Sequence, residues 1–217
     1  MHREGYAIVF ALAVTALVLT LSYRALGGGA VLRGLSVALW SFAAMSAFFF
    51  RDPERRPPEG ENEVVAPADG RVIAIDEVDE PEFIGGRAKR ISIFLSVFDV
   101  HVNRSPVAGT VKLFRYQAGK FHVASLPQAS IENEQSIVGV ESQYGRVLFK
   151  QIAGLIARRI VCDLREGHRV NRGERFGIIK FGSRMEVYLP PEAEVKVRLR
   201  EKIRAGESII GEFSHAR

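Results

Sequence analysis

Near the C-terminus, a serine follows a glycine between two segments that are predicted as strands. The pair is Gly182-Ser183, and the segments are 176–181 and 185–189. Glycine tolerates the backbone of a tight turn, so the pair could be an ordinary hairpin turn. A serine held just after such a glycine can also turn its hydroxyl onto the preceding carbonyl carbon. Ser183 is therefore the first candidate nucleophile.

A second segment holds the histidine best suited to acid–base chemistry. In a strand, Asp99, His101 and Asn103 would project to one face, with the apolar residues between them on the other. An acid, an imidazole and an amide in a row suit a catalytic site, although a solvated strand face has the same pattern. His168, in a predicted loop, is a further candidate for substrate binding, with a structural role as the alternative.

A carboxylate could orient that imidazole. Asp69 lies in Pro67-Ala68-Asp69-Gly70, which is also typical of a simple turn. A serine, histidine and aspartate site is recognised by its geometry and not by chain order. The sequence thus predicts a constellation of Asp69, His101 and Ser183, but it does not show that the three side chains meet.

The composition indicates an anionic partner. The chain has 217 residues, a formal charge of +5 and an isoelectric point near 9.6. It contains no zinc-finger spacing and no interleaved aromatic and basic motif, which argues against nucleic acid and favours anionic lipid. Cys162 is the only cysteine, so internal disulfides and a cysteine-based metal cluster are excluded, and we predict no metal.

Two uncharged apolar runs occupy the N-terminal region, residues 6–23 and 34–50. As helices they would be roughly 25–27 Å long, at the short end for crossing a bilayer. The glycines at 27–29 predict a hairpin between them. We expect a membrane hairpin that spans or dips, with a buried hairpin of a soluble core as the alternative. Arg51, Arg55 and Arg56 favour a cytoplasmic C-terminal domain.

The domain organisation is predicted as a hairpin at 1–50, a proline-rich linker at 51–62 and a β domain at 63–217. Glycine-punctuated β-branched runs predict strands at 72–75, 90–96, 110–114, 136–141, 145–150, 175–181, 185–189 and 195–199. Two weak repeats relate 65–72 to 104–111 and 170–177 to 203–211. The second pair is similar to the turns of biotinyl carriers. We therefore expect a β-rich barrel-sandwich hybrid or duplicated β-sandwich.

The motifs together resemble one known family. In chain order they are Pro67-Ala68-Asp69-Gly70, Phe98-Asp99-Val100-His101-Val102-Asn103-Arg104, Glu132-Asn133-Glu134, and Gly173-Glu174 leading to Phe181-Gly182-Ser183. All resemble the short, pyruvoyl-dependent type of the phosphatidylserine decarboxylases. The resemblance covers nearly all of the chain from about residue 51 onward, and the apolar hairpin before it also fits.

The resemblance implies a self-processing enzyme. Ser183 would attack the Gly182 carbonyl, and cleavage would give a β chain 1–182 and an α chain 183–217 that carries a pyruvoyl group made from Ser183. His101, oriented by Asp69, would be the base in maturation and the acid in turnover. The substrate would be phosphatidylserine and the products phosphatidylethanolamine and carbon dioxide. A serine-headgroup archaeal lipid would present the same reacting atoms.

The chain departs from the longer bacterial relatives at Arg104, where they resemble Asp-x-His-x-x-His. We predict that Arg104 holds the lipid phosphate, with a structural ion pair to Asp99 as the alternative. Asn103 and His168 are the other predicted substrate contacts. The implied location is the cytoplasmic face of the cell membrane, and the expected assembly is a homo-oligomer.

Two other classes of function remain open from the residues alone. One is a membrane-anchored binding module related to biotinyl carriers, although the hairpin Arg184-Met185-Glu186 has no lysine to modify. The other is a membrane-bound serine hydrolase. It would lack the Gly-x-Ser-x-Gly elbow, because Phe181 and Met185 occupy the glycine positions.

Overall fold

The computed structural model of the chain describes residues 1–25, 29–124, 126, 128–154, 160–180 and 183–214. They fall into two compact units, Met1–Pro53 and Glu54–Arg217. The boundary lies inside the segment predicted as a linker.

The first unit is a pair of helices, α1 (Arg3–Ala25) and α2 (Ala30–Phe49). At 1.5 Å per residue they measure about 35 and 30 Å, so both are long and apolar enough to cross a membrane. Most of their large apolar side chains are exposed. The predicted glycine turn lies largely outside the described residues, and Gly29 is the N-cap of α2.

Small and hydroxyl-bearing residues form the contact between the two helices. Ala16 and Ala43 are buried, and a hydrogen bond of 2.6 Å joins the hydroxyls of Thr20 and Ser36. Trp40 donates its indole N–H to Thr20 Oγ1 at 3.3 Å. Small residues that let backbones approach, with polar bonds between them, are typical of helix pairs in lipid. The first unit therefore shares these packing features with such helix pairs.

The second unit is built from fourteen described strands and one helical turn, α3 (Ala129–Glu132). The strands are β1 (Glu63–Val65), β2 (Gly70–Glu80), β3 (Gly86–Leu95), β4 (Val102–Arg104), β5 (Gly109–Gln117), β6 (Gln135–Glu141), β7 (Arg146–Ile152), β8 (Ile160–Cys162), β9 (Arg169–Val170), β10 (Arg175–Ile179), β11 (Ser183–Leu189), β12 (Glu194–Val195), β13 (Lys202–Ile203) and β14 (Ile209–Glu212).

These strands form one large sheet and two small ones, all antiparallel. The large, curled sheet has the order β13-β2-β3-β11-β7-β6-β5-β9, and the small sheets are β1-β14-β12 and β4-β10-β8. Alternate side chains of β3, β6, β7 and β11 point into a shared apolar core between the sheets. The predicted β-rich fold is confirmed.

The repeated segments pair with each other as a duplication would require. Val65 donates its backbone N–H to Pro106 O at 3.0 Å, and Arg104 donates its own to Pro67 O at 2.9 Å. In the aligned repeats Val65 corresponds to Arg104 and Pro67 to Pro106, so each donor lies two positions before the proline of its own segment. The bonds are therefore reciprocal and relate the two halves of the unit.

The second pair of repeats closes against the first in the same manner. Gly206 donates to Ala66 O and Gly173 donates to Ser105 O, both at 2.8 Å. Both glycines have a left-handed backbone, with φ values of 73° and 76°, which explains why each turn carries glycine there. The weak sequence repeats therefore correspond to a duplicated structural module.

The predicted linker belongs in part to the β unit. From Glu54 onward it is bound along its length, since Arg172 donates to the carbonyls of Pro58 and Gly60. Asn62 donates to Phe213 O at 2.9 Å. We call residues 54–62 the strap.

One predicted strand is wrong in extent. Of residues 195–199, only Val195 lies in a strand. The chain leaves the sheet because Arg200 adopts a φ of 69° in a turn closed by Glu201, which donates to Arg198 O at 3.2 Å.

Candidate active site

Ser183 is the first residue of β11 and is fully buried. It pairs with Leu95, the last residue of β3. Its Oγ has no hydrogen-bond partner among the described residues. A buried hydroxyl without a partner is costly to fold, so such an atom points to chemistry. Gly182, the other half of the predicted cleavage site, lies outside the described residues.

Several strands begin or end level with Ser183. Arg184 pairs with Ile152, the last residue of β7, which pairs with Gln135, the first residue of β6. Gln135 in turn pairs with Gln117 at the end of β5. We call this end of the large sheet the Ser183 edge.

His101 immediately precedes β4 and is bonded to the strand that leads towards Ser183. Its backbone carbonyl accepts the N–H of Ile179, four residues before Ser183 in the chain. The imidazole is buried, and its Nδ1 lies 3.0 Å from the carbonyl oxygen of Asp99. Because a carbonyl only accepts, Nδ1 carries the hydrogen in the neutral ring and Nε2 is the basic nitrogen.

The predicted alternating strand through Asp99, His101 and Asn103 is wrong at its start, because β4 begins only at Val102. Before it, the Asp99 carboxylate accepts the N–H of Ser96 at 2.9 Å and closes a turn. Phe98, which the alternation placed with Val100 and Val102 on the apolar face, lies on that turn and is 73% exposed.

The described contacts of the Asp69 carboxylate are with groups other than the imidazole. Its carboxylate pairs with the Arg55 guanidinium of the strap, with Nη2 2.8 Å from Oδ2. It also accepts the backbone N–H of Ala205 at 2.8 Å. These contacts fasten the strap and the turn before β14 to the β unit. The carbonyl of Asp99 therefore occupies the place at His101 that was expected for the Asp69 carboxylate.

Asn103 belongs to a buried chain of amides. Gln151 donates from Nε2 to Asn103 Oδ1 at 2.8 Å and to the carbonyl of Val161 at 3.3 Å. Ser136 donates to Gln151 Oε1 at 2.6 Å. Because the carbonyl of Val161 can only accept, Gln151 must direct its NH₂ group towards it and towards Asn103.

That chain fixes the amide of Asn103 with its oxygen turned to Gln151. Its Nδ2 is left as a fully buried donor with no hydrogen-bond partner in the described part of the chain. Gln151 pairs with Met185, whose side chain shares a face of β11 with Ser183. The unused donor therefore belongs to an amide whose partner, Gln151, lies on the same face and at the same end of the sheet as the candidate nucleophile.

Gln151 and Ser136 were not predicted from the sequence. Gln151 continues the core-facing alternation of Val147 and Phe149, and Ser136 that of Val138. A polar residue at the core-facing end of an apolar strand face was the signal available for both.

Two predicted substrate contacts lie elsewhere. Arg104 alternates with Asn103 along β4, and its nearly buried guanidinium donates to the carbonyl of Gly173 at 2.9 Å. His168 lies in an exposed turn before β9, where Arg169 pairs with Thr110. That is about 20 Å along the strands from the Ser183 edge, so the structure does not bring His168 to Ser183.

The outer face of β11 carries a buried charge network. Glu186 is fully buried and accepts hydrogen bonds from Tyr188 at 2.7 Å and Arg184 at 3.3 Å. Ser130 of α3 donates to the same carboxylate at 2.6 Å. Burial, and next the Glu186 charge, raise the pKa of Tyr188 above its usual range, while burial lowers the pKa of Arg184. This network holds α3 over the strand that begins with Ser183.

A family model described as phosphatidylserine decarboxylase matches residues 42–211. The chain belongs to the phosphatidylserine decarboxylase family. The match spans the duplicated module, both candidate site segments and β11. The resemblance inferred from the ordered motifs is confirmed.

Curated relatives in this family are similar over most of their length. A phosphatidylserine decarboxylase proenzyme of Symbiobacterium thermophilum is 48% identical over 96% of this chain and 94% of its own. One of Pelobacter propionicus is 45% identical over 96% and 94%. One of Salinibacter ruber is 51% identical over 77% and 75%. The matches to the Symbiobacterium thermophilum and Pelobacter propionicus proteins cover 96% of this chain and therefore include most of the region of the apolar hairpin.

Proposed function

We propose that this phospholipid decarboxylase cuts itself between Gly182 and Ser183, makes a pyruvoyl group from Ser183 and uses it to convert phosphatidylserine into phosphatidylethanolamine and carbon dioxide. The observation that carries the proposal is the fully buried Ser183 hydroxyl, which has no hydrogen-bond partner among the described residues at the first position of β11. The names of the relatives, all proenzymes, support it.

Maturation uses the chain's own groups. His101 takes the Ser183 hydroxyl proton through Nε2, and Oγ attacks the carbonyl carbon of Gly182. The Gly182–Ser183 amide becomes an ester, and β-elimination breaks the Cβ–Oγ bond. Gly182 leaves as a carboxylate, and residue 183 becomes dehydroalanine. Water converts that residue into the pyruvoyl group and releases ammonia.

The residues present fit a carbonyl group at position 183. It would begin β11 in a buried position, and Asn103 Nδ2 is an unused donor close by. When formed, the group supplies an electron sink, because its carbonyl binds the substrate amine and accepts the electron pair released with carbon dioxide.

Asn103 and His101 divide the remaining work. Asn103 would donate a hydrogen bond to the main-chain carbonyl oxygen of residue 183, onto which negative charge can delocalise after carbon dioxide leaves. His101, protonated after substrate binding, returns a proton to the substrate α-carbon. The buried chain through Gln151 keeps the Asn103 donor turned towards the reaction.

The roles of Arg104, His168 and Asp69 stay predictions. The contact of Arg104 with the Gly173 carbonyl favours a structural role, although it is not the predicted ion pair with Asp99, and the position of His168 argues against a role in the site. We further propose that the apolar hairpin attaches the enzyme to the cytoplasmic face of the cell membrane, and that the enzyme assembles as a homo-oligomer.

Denaturing mass spectrometry tests the proposal. The purified protein should separate into a large chain ending at Gly182 and a small chain with a blocked N-terminus. Ser183→Ala should remain one intact chain and produce no phosphatidylethanolamine. Ser142→Ala, in the turn between β6 and β7, is the matched control and should mature normally. A normal small chain in Ser183→Ala would refute the proposed cleavage.

A further inference from the structure

The exposed large apolar side chains of the β unit are concentrated in a few loops. Phe98 is 73% exposed and Ile131 is 74% exposed, and three others accompany them in the same two segments: Val97, Val123 and Leu126. Exposed apolar groups scattered singly are normal, but a cluster of them marks an interaction site.

Both segments project from the Ser183 edge. Residues 96–99 continue β3 beyond Leu95, which pairs with Ser183. Residues 118–134 join the end of β5 to the start of β6, and Gln117 pairs there with Gln135. Strand register, not sequence distance, therefore brings the two apolar loops to the end of the sheet that carries the nucleophile.

The rest of the β unit offers no comparable cluster in its described part. Two more exposed apolar residues lie at the Ser183 edge itself. Leu199 lies beside the start of β2, and Tyr116 is one residue before the end of β5. Ile75, in the middle of β2, is the remaining exposed large apolar residue. At the opposite end of the sheet, Phe83 is buried in the turn between β2 and β3. The asymmetry favours a surface over random exposure.

We propose that the loops 96–99 and 118–134 form a membrane-docking surface, through which the catalytic unit itself inserts apolar side chains into a phospholipid bilayer. This rests on the proposed function, because a lipid that keeps its tails in the bilayer must bring its headgroup to Ser183. Entry from this edge allows that geometry, and the two loops frame it.

Basic side chains border the apolar groups. Lys202 lies 4.0 Å from Asp99, beside Phe98, and Lys120 pairs with Glu132 at 2.9 Å, beside Ile131. Both ammonium groups are largely exposed. Lysines beside apolar side chains are suited to the headgroup region of a membrane. Because Asp99 and Glu132 offset these two charges, the apolar side chains and not net charge carry the proposed docking.

Activity on two physical forms of one substrate tests the surface. In the full chain, Phe98→Ser and Ile131→Ser should each lower kcat/KM on phosphatidylserine vesicles by about tenfold, since each removes one large side chain from the bilayer. Both should keep kcat/KM within about twofold on a short-chain phosphatidylserine below its micelle concentration. Ile75→Ser is the matched control and should change neither value.

The outcomes separate this proposal from the proposed function. If the parent protein decarboxylates neither substrate, the proposed function fails and takes the docking surface with it. If the variants match the parent on vesicles, or lose activity equally on the monomeric substrate, the docking surface is refuted while the decarboxylase remains.

A direct measurement does not depend on turnover. A polarity-sensitive fluorophore is attached at Phe98→Cys or Ile131→Cys in a Cys162→Ser background, with Ile75→Cys as the control. Burial raises the pKa of the Cys162 thiol, which makes that thiol less reactive towards the label. The Cys162→Ser substitution removes it altogether, so that each variant has a single position for the label. Phosphatidylserine vesicles should raise the emission at 98 and 131 several-fold and leave that at 75 unchanged. Equal responses at all three positions would overturn the proposal.

Discussion

At the scale of single residues, the candidate site depends on which atom of each polar group is left for chemistry. The Asp99 carbonyl sets the hydrogen of His101 on Nδ1, and the Val161 carbonyl sets the amide of Gln151 and through it that of Asn103. Both assignments rest on backbone oxygens, which can only accept. The backbone thus fixes which atoms of His101 and Asn103 are available as the proposed base and the proposed donor.

His101→Ala should slow self-cleavage by several orders of magnitude, because it removes the proposed base. Gel analysis of the precursor over time measures this rate. His168→Ala, which changes an exposed histidine at the far end of the sheet, should mature like the parent. Normal maturation of His101→Ala would show that another group is the base.

Asp69→Asn distinguishes the predicted triad from the observed ion pair. If Asp69 acts by holding the strap, Arg55→Gln should reproduce its effect, a loss of about 3 kcal/mol in the free energy of unfolding. Denaturant unfolding and cleavage rates would be measured for both variants. A cleavage defect in Asp69→Asn that Arg55→Gln lacks would support the triad.

Gln151→Leu should lower kcat by about tenfold, because the Asn103 amide is then free to turn its donor away. Ser136→Ala should have a smaller effect, since the Val161 carbonyl still orients Gln151. Turnover of matured enzyme is the measurement, with the fraction cleaved determined separately. An unchanged kcat in Gln151→Leu would exclude this role for the amide chain.

At the scale of elements, β11 separates two environments. Its inner face carries Ser183 and Met185 into the core, and its outer face carries the Arg184, Glu186 and Tyr188 network under α3. A buried charge network is costly unless its groups are satisfied, so it favours one register of the strand. The strand β11, which begins with the candidate nucleophile Ser183, is thereby held by contacts on both of its faces.

Tyr188→Phe should reveal the cost of that network through pH. The raised pKa of Tyr188 means that, above about pH 10, the unfolded chain loses a proton that the folded chain keeps. Its contribution is therefore complete below pH 10 and declines as pH rises further. The difference in unfolding free energy between parent and variant should be constant up to about pH 9 and should shrink as the pH rises above about 10. A constant difference would contradict the assigned pKa shift.

At the scale of the whole molecule, the chain combines an apolar helical hairpin with a self-contained β unit. The β unit has its own core and its own strap. Its large sheet is formed by strands that are distributed along most of residues 54–214. We propose two attachments to lipid for this organisation, one by the hairpin and one by the Ser183 edge.

Removal of residues 1–53 should leave a protein that folds and cleaves itself, because the boundary precedes the strap. Its sedimentation with phosphatidylserine vesicles should be weaker than that of the full chain and should fall with added salt. A longer truncation that removes residues 1–62, and with them the strap, should be less stable than the protein without residues 1–53. Vesicle binding equal to that of the full chain would show that the hairpin adds no attachment.

Local residue patterns and the order of the motifs were sufficient to predict the helices, most of the strands, the duplication and the family. Apolar runs gave the two helices, β-branched runs most of the strands, repeats the duplicated module, and the motif order the family. Tertiary structure decided what depends on long-range pairing. His168 lies far from Ser183, and Asp69 pairs with Arg55. Gln151 binds Asn103, and Phe98 is exposed at the sheet end that carries the candidate nucleophile. The physical reason is that hydrogen-bond partners and strand register join residues distant in sequence, and no local pattern specifies which of several acceptors a buried donor will meet.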